Sequence, residues 1–205
     1  MRDVLGAGTI LGYCTNVHAG VTREKMLENL ERYALAVKRR VSADQPMGVG
    51  LWLAATAARE MLEQDRVGEL RQWLTGHGLL ACTWNGFPHG DFHQQVVKHR
   101  VYEPDWRQQA RLDYTCDLID IAAGLLPGGA EGSISTLPLG WRASFGGVDS
   151  LAAAAENLHH AAGHMACVEA ETGRWIHLDI EPEPGCVLDT SAGVVSFFEE
   201  HLLRR

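Results

Sequence analysis

Short apolar segments alternate with longer helical patterns five times along the chain, and this alternation constrains the fold more than any other feature. The apolar segments, which we predict as strands, are 10–16, 47–53, 78–84, 131–137 and 174–180. In the segments that follow them, apolar residues recur every three or four positions: 22–41, 55–74, 112–126, 151–165 and 191–203. Nearly continuous apolar strands separated by helices are typical of a parallel sheet. The sequence therefore predicts an α/β fold.

The turn after the first strand separates two kinds of parallel α/β fold. The stretch GYCTNVHAG, residues 12–20, lacks the GxGxxG and GxxxxGK[ST] patterns that bind phosphate groups at such turns. A dinucleotide-binding doubly wound fold is therefore the weaker interpretation, and a (β/α)8 barrel of the TIM type is the stronger one. Such a barrel needs eight units and about 250 residues, whereas this chain of 205 residues shows five units.

The shortfall in βα units leads to an expectation about domain organisation. We expect residues 1–205 to form the N-terminal part of a single barrel domain rather than a whole one. The first and fifth strands would then be open edges, which favours pairing with another chain or self-association. We also expect such a part to be catalytically silent by itself.

Charge and cysteine usage exclude several classes of protein. The formal net charge is −8, whereas a nucleic-acid-binding protein needs a basic patch. No apolar run is long enough to span a membrane, and the N-terminus lacks a convincing cleavage site for a signal peptide. The five cysteines are widely spaced and form no CxxC pair. We therefore expect a cytoplasmic protein with reduced cysteines, without nucleic-acid binding or membrane insertion.

Polar side chains collect at the carboxyl ends of the predicted strands, where an α/β barrel has its active site. Carboxylates and histidines supply both metal ligands and acid–base groups. Our candidate catalytic residues are His18 and Glu183, and our candidate metal ligand is Glu181. Our candidate substrate-binding residues are Asn16, Asn85, His89, Asp91, His93, Trp141 and Arg142. The strand-end residues Ser135 and Thr136 complete the set.

Several of these residues also have a structural interpretation. His18 could satisfy a loop carbonyl, Asp91 could only form a turn, and His93 could face solvent. Trp84 and Trp141 could pack in the core. The segment 85–106 contains both glycine and proline and is long for a loop in a compact domain, which favours a functional loop. Its aromatic residues argue against disorder, and we expect it to cover a bound ligand.

The stretch HLDIEPEPGC, residues 177–186, places two carboxylates where the fifth strand ends. Because Pro182 biases Glu181 toward an extended backbone, the Glu181 carboxylate is expected at the rim of the strand. Neighbouring carboxylates repel each other unless a cation or a proton compensates. A divalent cation at Glu181 is one explanation, and a solvated turn is the other. In a regular strand, Asp179 points to the same side as Glu181.

The chain resembles a known family at five blocks: GYCTNVHAG, NGFPHGDFHQQVVKHRVYEPDW, RLDYT, GSISTLPLGWR and IHLDIEPEPGC. IEPEPG is similar to the Glu-Pro-x-Pro segment of xylose isomerases, in which the first glutamate binds metal. The wider pattern resembles the branch of xylose isomerase-like TIM barrels called metabolite traffic protein EboE. The resemblance implies a TIM barrel, a metal ligand at Glu181, and a role beside other proteins of a secondary-metabolite operon. The remaining metal ligands of the sugar isomerases lie on strands beyond the fifth.

Two functions of different classes follow. The first is a sugar isomerase or epimerase that uses Mn²⁺, Mg²⁺ or Zn²⁺, held by Glu181, to polarise a carbonyl or hydroxyl pair of a small-molecule metabolite. The second is a non-catalytic metabolite-binding or carrier barrel, whose ligand contacts the aromatic residues near the strand ends. A full set of metal ligands favours the first function, and aromatic residues around a lone glutamate favour the second.

Overall fold

In the computed structural model, the described residues are 11–63, 65–93 and 98–203, and their strands form one parallel sheet. The strands are β1 (Gly12–Cys14), β2 (Met47–Leu51), β3 (Leu79–Asn85), β4 (Glu131–Thr136) and β5 (Trp175–Ile180). Their order in the sheet follows their order in the chain. A doubly wound sheet reverses its strand order at a switch point, whereas a barrel does not. The predicted α/β fold with five barrel-type units is confirmed.

Helices follow each strand. Between β1 and β2 lie a 3-10 turn (Thr15–Val17), α1 (Arg23–Asn29), a π-helical turn (Leu30–Ala34) and α2 (Leu35–Val41). Between β2 and β3 lie α3 (Ala55–Leu62) and α4 (Arg66–Gly76). Beyond β3 come a 3-10 segment (Lys98–Tyr102) and α5 (Gln109–Leu125). Beyond β4 come α6 (Arg142–Phe145) and α7 (Val148–Thr172), and beyond β5 come α8 (Ser191–Phe197) and a π-helical turn (Phe198–Leu202).

The prediction of one continuous helix over 55–74 is wrong. The backbone leaves the helix at Glu63, which is extended, and Asp65 takes a left-handed conformation with φ of 58° before α4 begins. Aspartate tolerates this conformation better than most residues. Gly68 leaves room for the Asp65 carboxylate, since a Cβ there would lie 2.6 Å from Asp65 Oδ1. The break is therefore set by local backbone chemistry that apolar periodicity does not record.

The helices cover one face of the sheet, and the other face is more open. Val49, Ile134 and Ile176 point toward the helices and are buried in a common core. Alternate residues of a strand point to opposite faces. The partly exposed side chains of Ser133 in β4 and Asp179 in β5 therefore lie on the open face.

On the open face, β2 has glycine and no side chain, because side chains of the two neighbouring strands fill that space. A Cβ built at Gly50 would lie 2.9 Å from both Cys14 Sγ and Thr83 Oγ1, which come from the strands on either side.

None of the helices in the described part of the chain has the length and hydropathy to cross a bilayer.

Candidate functional site

A long loop connects β3 to α5 and passes over the carboxyl ends of the strands. Its first described part, 86–93, lies beside the ends of β1 and β2, and its second, 98–106, lies beside the ends of β4 and β5. Residues 94–97 of this predicted ligand-covering loop lie outside the described residues. Arg111 of α5 joins the two parts from below, because its Nη1 donates to Gly86 O and its Nε to Pro104 O, both at 2.8 Å.

On the β1–β2 side, His93 is held by the protein's own backbone. Its Nε2 lies 2.8 Å from Asn16 O, and its backbone N–H donates to Asp91 Oδ1 at 2.9 Å. Phe92 meets the ring of Trp52 edge to face, with centroids 4.8 Å apart. The side chain of Asp91 thus closes a turn, and the backbone of Asn16 anchors the histidine.

His18 lies between two tyrosines on the same side. Tyr13 Oη lies 2.5 Å from His18 Nε2, and the ring of Tyr33 stacks on the imidazole with centroids 3.8 Å apart. Burial lowers the pKa of His18, and the nearby His93 lowers it further. The lowered pKa favours a neutral imidazole at neutral pH, and its Nε2 shares a hydrogen bond with Tyr13 Oη.

His89 lies apart from the other candidates, between α3 and α5. Its carbonyl accepts a hydrogen bond from Ala55 N at 2.8 Å, and its ring meets that of Tyr114 with centroids 5.1 Å apart. Burial, together with the charges of Arg111 and Arg59, lowers the pKa of His89 to about 4. Its imidazole is thus a neutral, half-buried group at neutral pH.

Asn85 and Arg142 both bind to backbone groups. Asn85 Oδ1 accepts from Phe87 N at 3.1 Å and turns the chain at the end of β3. Arg142 donates through Nε to Cys186 O at 3.1 Å and pairs through Nη2 with Asp189 Oδ2 at 2.7 Å. Arg142 therefore fastens the segment after β5 to the segment after β4.

On the β4–β5 side, three rings form what we term the mouth stack: His99, Tyr102 and Trp141. The Trp141 ring stacks on His99 with centroids 4.0 Å apart and on Tyr102 with centroids 5.3 Å apart. His99 is exposed, and the other two are partly exposed. Gly185 has φ of 87°, and a Cβ there would lie 2.4 Å from the Trp141 ring. The glycine of the Glu-Pro-Glu-Pro-Gly segment is thus required for Trp141 to lie beneath it.

The two glutamates at the end of β5 have different environments. Glu183 Oε2 accepts a hydrogen bond from Tyr102 Oη at 3.0 Å. Burial, which is the larger cause, and this hydrogen bond both raise the pKa of Tyr102. Glu181 is exposed, and its backbone N–H donates to Thr136 O at 3.0 Å. Thr136 Oγ1 in turn accepts from Trp106 Nε1 at 3.1 Å. The Glu181 carboxylate has no hydrogen-bond or ion-pair partner in the described part of the chain.

Within the described residues 11–63, 65–93 and 98–203, no three His, Cys, Asp or Glu residues converge on a possible metal position. The metal centre that the sequence predicts is therefore not assembled among these residues. The candidates fall instead into two groups. Asn16, His18, Asp91 and His93 lie together at the β1–β2 side. Trp141, Arg142, Glu181 and Glu183 lie at the β4–β5 side. Asn85 follows β3 between them, and His89 lies among the helices.

Sequence reasoning missed a polar network on the open face of β4 and β5. Asp179 accepts a short hydrogen bond from Ser133 Oγ, and its other oxygen lies 2.7 Å from His177 Nδ1. His177 Nε2 lies 3.3 Å from Glu131 Oε1. Alternation along β5 predicts the shared face of His177 and Asp179. Their partners on β4 depend on strand register, which the sequence pattern did not specify.

Comparisons with known proteins indicate relatives in fold only. No protein-family model and no curated protein matches the chain. Among solved structures, the chain is similar to an IolI protein with a bound zinc atom, at 12% identity and a TM-score of 0.49, over 93% of this chain and 58% of that one. It is also similar to a xylose isomerase domain protein from Planctomyces limnophilus, at 15% identity and a TM-score of 0.48, over 92% of this chain and 57% of that one. The chain thus spans less than two thirds of either protein.

Proposed function

We propose that this chain binds a small metabolite at the carboxyl ends of β4 and β5 and serves the processing or traffic of secondary metabolites, as the resemblance to EboE implies. The mouth stack is the observation that carries the proposal. The three stacked rings, of which His99 is exposed and Tyr102 and Trp141 are partly exposed, offer a rigid aromatic surface. Pockets for small molecules combine such aromatic walls with a few placed polar groups.

The polar groups beside the mouth stack indicate the chemistry of the ligand. The Glu181 carboxylate is free to accept hydrogen bonds. Glu183 is already oriented by Tyr102. Carboxylates accept hydrogen bonds from hydroxyl and ammonium groups, and aromatic faces contact the apolar face of a ring. The arrangement therefore suits a polyol-like or carbonyl compound that has both an apolar face and hydroxyl groups.

Loss of the Trp141 ring tests this binding function. In Trp141→Ala, we expect the affinity for the best-binding member of a panel of sugars and cyclic polyols to fall at least about tenfold, which corresponds to about 1.4 kcal/mol. Ligand-observed NMR measures this affinity. The matched control is Trp73→Ala, since Trp73 is a partly exposed tryptophan on α4 whose ring contacts that of His77. If both variants bind the ligand with equal affinity, the mouth stack is not part of the binding site.

A second candidate function is a divalent-metal-dependent isomerase or epimerase, and the free carboxylate of Glu181 favours it. A bound Mn²⁺, Mg²⁺ or Zn²⁺ would polarise a carbonyl or hydroxyl pair of the substrate. The described residues offer Glu181 but no further convergent ligands. They therefore do not fit a complete metal site. Neutral His18 and the Tyr102-bound Glu183 are the proton-accepting groups that this function would use.

Metal titration separates the two functions. If Glu181 binds a divalent cation, Glu181→Gln should weaken binding of Mn²⁺, Mg²⁺ or Zn²⁺ measured by calorimetry, because the amide lacks the negative charge. Glu183→Gln is the matched control at the same turn. Identical metal affinity in wild type and Glu181→Gln would exclude the metal role and leave the metabolite-binding function standing.

A further inference from the structure

A cavity of about 310 Å³ lies beside the first residues of β3, next to the C-terminal ends of α4 and α5. β3 pairs with β2 from Leu79 onward, but its pairing with β4 begins only at Thr83. The two strands are therefore apart before Thr83, and the turn after α5 borders the space between them. Leucines of α4, β3 and α5 form most of the wall, and the polar side chains are Arg71, Thr75 and Arg174.

Both arginines of this cavity are held in place by the end of α5. Arg71 Nη1 donates to Gly124 O at 3.3 Å, and Arg174 Nε donates to Leu126 O at 2.7 Å. A guanidinium has five N–H donors, and two neighbouring nitrogens together bind a carboxylate through both of its oxygens. Within the described residues, Nε and Nη2 of Arg71 and both Nη atoms of Arg174 are left for such a contact.

The cavity also has positive charge that its surroundings do not balance. Neither arginine forms an ion pair in the described part of the chain, and no aspartate or glutamate is among the residues that line the cavity. The C-terminal ends of α4 and α5 each contribute about half a negative charge. These partial charges offset only part of the two guanidinium charges, although the chain as a whole has a formal net charge of −8. The cavity therefore favours an anion.

We propose that this cavity, which we term the arginine cavity, is a second binding site and takes a small carboxylate with an aliphatic body. The carboxylate accepts hydrogen bonds from Arg71 and Arg174, and the aliphatic body contacts the leucine wall. Sites for small molecules have volumes of about 300–1,000 Å³ and combine apolar walls with a few placed polar groups. The arginine cavity has this size and this composition.

The arginine cavity and the mouth stack lie at opposite ends of the strands. Leu79 begins β3 and Asn85 ends it, and at about 3.3 Å per residue these two residues are about 20 Å apart. A small ligand in the arginine cavity therefore does not reach Trp141 or Glu181. Because the chemistry of α/β barrels takes place at the carboxyl ends of the strands, we assign binding and no reaction to the arginine cavity.

Three probes test the ligand class on the full chain: hexanoate, hexanol and inorganic phosphate. In ligand-observed NMR titrations, we expect hexanoate to bind more tightly than hexanol, which has no charge, and more tightly than phosphate, which has no aliphatic body. Added salt should weaken hexanoate binding, because partly exposed charges are screened. Absence of hexanoate binding would overturn the proposal. Equally tight binding of hexanol would overturn the role of the arginines, and equally tight binding of phosphate would overturn the role of the leucine wall.

Loss of one guanidinium tests the position of the site. In Arg71→Met, we expect the affinity for hexanoate to fall about tenfold, because a hydrogen-bonded charge pair is lost, and the affinity for hexanol to stay unchanged. Arg40→Met removes the same charge from an exposed position of α2 that does not line the cavity, and it is the matched control. Equal hexanoate affinity in Arg71→Met and wild type would overturn the proposal.

Protein-observed NMR separates this site from the mouth stack. Hexanoate should shift the amide signals of Thr75 and Gly128, which line the cavity, and leave that of Gly185 unchanged. Its affinity should be the same in Trp141→Ala as in wild type, so that failure of the proposed function leaves this result intact. Shifts at Gly185 without shifts at Thr75 and Gly128 would place the carboxylate at the strand ends and overturn the proposal.

Discussion

The two sides of the strand-end surface use similar residues for different purposes. At the β1–β2 side, His18 Nε2 shares a hydrogen bond with Tyr13 Oη, and His93 Nε2 bonds to the carbonyl of Asn16. At the β4–β5 side, Trp141 presents a ring, and Glu181 keeps its carboxylate free. The first side is held together by its own polar groups, and the second has polar groups left for a ligand.

The difference shows why a list of strand-end residues does not by itself define a site. Histidine occurs on both sides, with an aspartate at one side and two glutamates at the other, yet among the described residues only the β4–β5 side combines an aromatic surface with a carboxylate that has no partner. A barrel provides positions at its strand ends, and the hydrogen bonds already made at those positions decide which are available. The predictions below test whether the two sides are as distinct as their contacts indicate.

The largest effect should come from Arg111, which is fully buried and links both sides. Arg111→Met would leave the carbonyls of Gly86 and Pro104 without their donors, and we expect the free energy of unfolding to fall by about 3 kcal/mol. Urea denaturation measures this change. Arg71→Met, an exposed arginine that bonds to Gly124 O, is the control and should change stability by less than about 0.5 kcal/mol.

The same variant tests whether the two sides are mechanically joined. Because Arg111 contacts both ends of the loop, hydrogen exchange should increase in 86–93 and in 98–106 together. Faster exchange on one side alone would show that the loop halves are independent of this arginine.

A second, smaller effect concerns acid and His89, which lies between α3 and α5. Burial keeps the pKa of His89 at about 4 in the folded chain, against 6.5 for a solvated histidine. Between these values the unfolded state binds more protons, so stability falls as pH decreases from 6.5 to 4. The lowered pKa of His18 acts in the same direction.

His89→Gln should therefore reduce the loss of stability between pH 6.5 and pH 4, as followed by urea midpoints across that range. His160→Gln, at an exposed position on α7, is the control. An unchanged slope in His89→Gln would mean that burial of this imidazole does not govern the acid response.

Much of the fold could be predicted from the sequence, because short segments that in most cases are rich in apolar residues alternate with helical periodicity. All five strands lie within two residues of their predicted bounds. β1 is shorter than predicted, and residue 10 of that prediction lies outside the described residues. The helix break near Asp65 was not predictable from periodicity, because it depends on a left-handed residue and on the space at Gly68.

The site could be predicted only as a set of positions. The strand-end rule identified His18, His93, Glu181 and Glu183, but their partners are remote in sequence. Tyr102 and Glu183 are 81 residues apart, and His93 and Asn16 are 77 apart. Arg111 gave no signal at all, since a charged residue on an amphipathic helix is normally expected at the surface.

The smallest effect separates the two sides most directly, through matched removal of one hydroxyl on each. Tyr102→Phe removes a hydrogen bond to the charged Glu183, and Tyr13→Phe removes one to the neutral His18. Hydrogen bonds to charged groups contribute about 1.5–3 kcal/mol and those between neutral groups about 0.5–1.5 kcal/mol. We therefore expect Tyr102→Phe to lower the free energy of unfolding by about 1.5 kcal/mol and Tyr13→Phe by about 0.5 kcal/mol at neutral pH. These values are the lower ends of the two ranges, because both hydrogen bonds are partly exposed to solvent. The double variant should show the sum of the two losses, since the pairs share no residue. Equal losses in the two single variants would remove the distinction between a charged β4–β5 side and a neutral β1–β2 side.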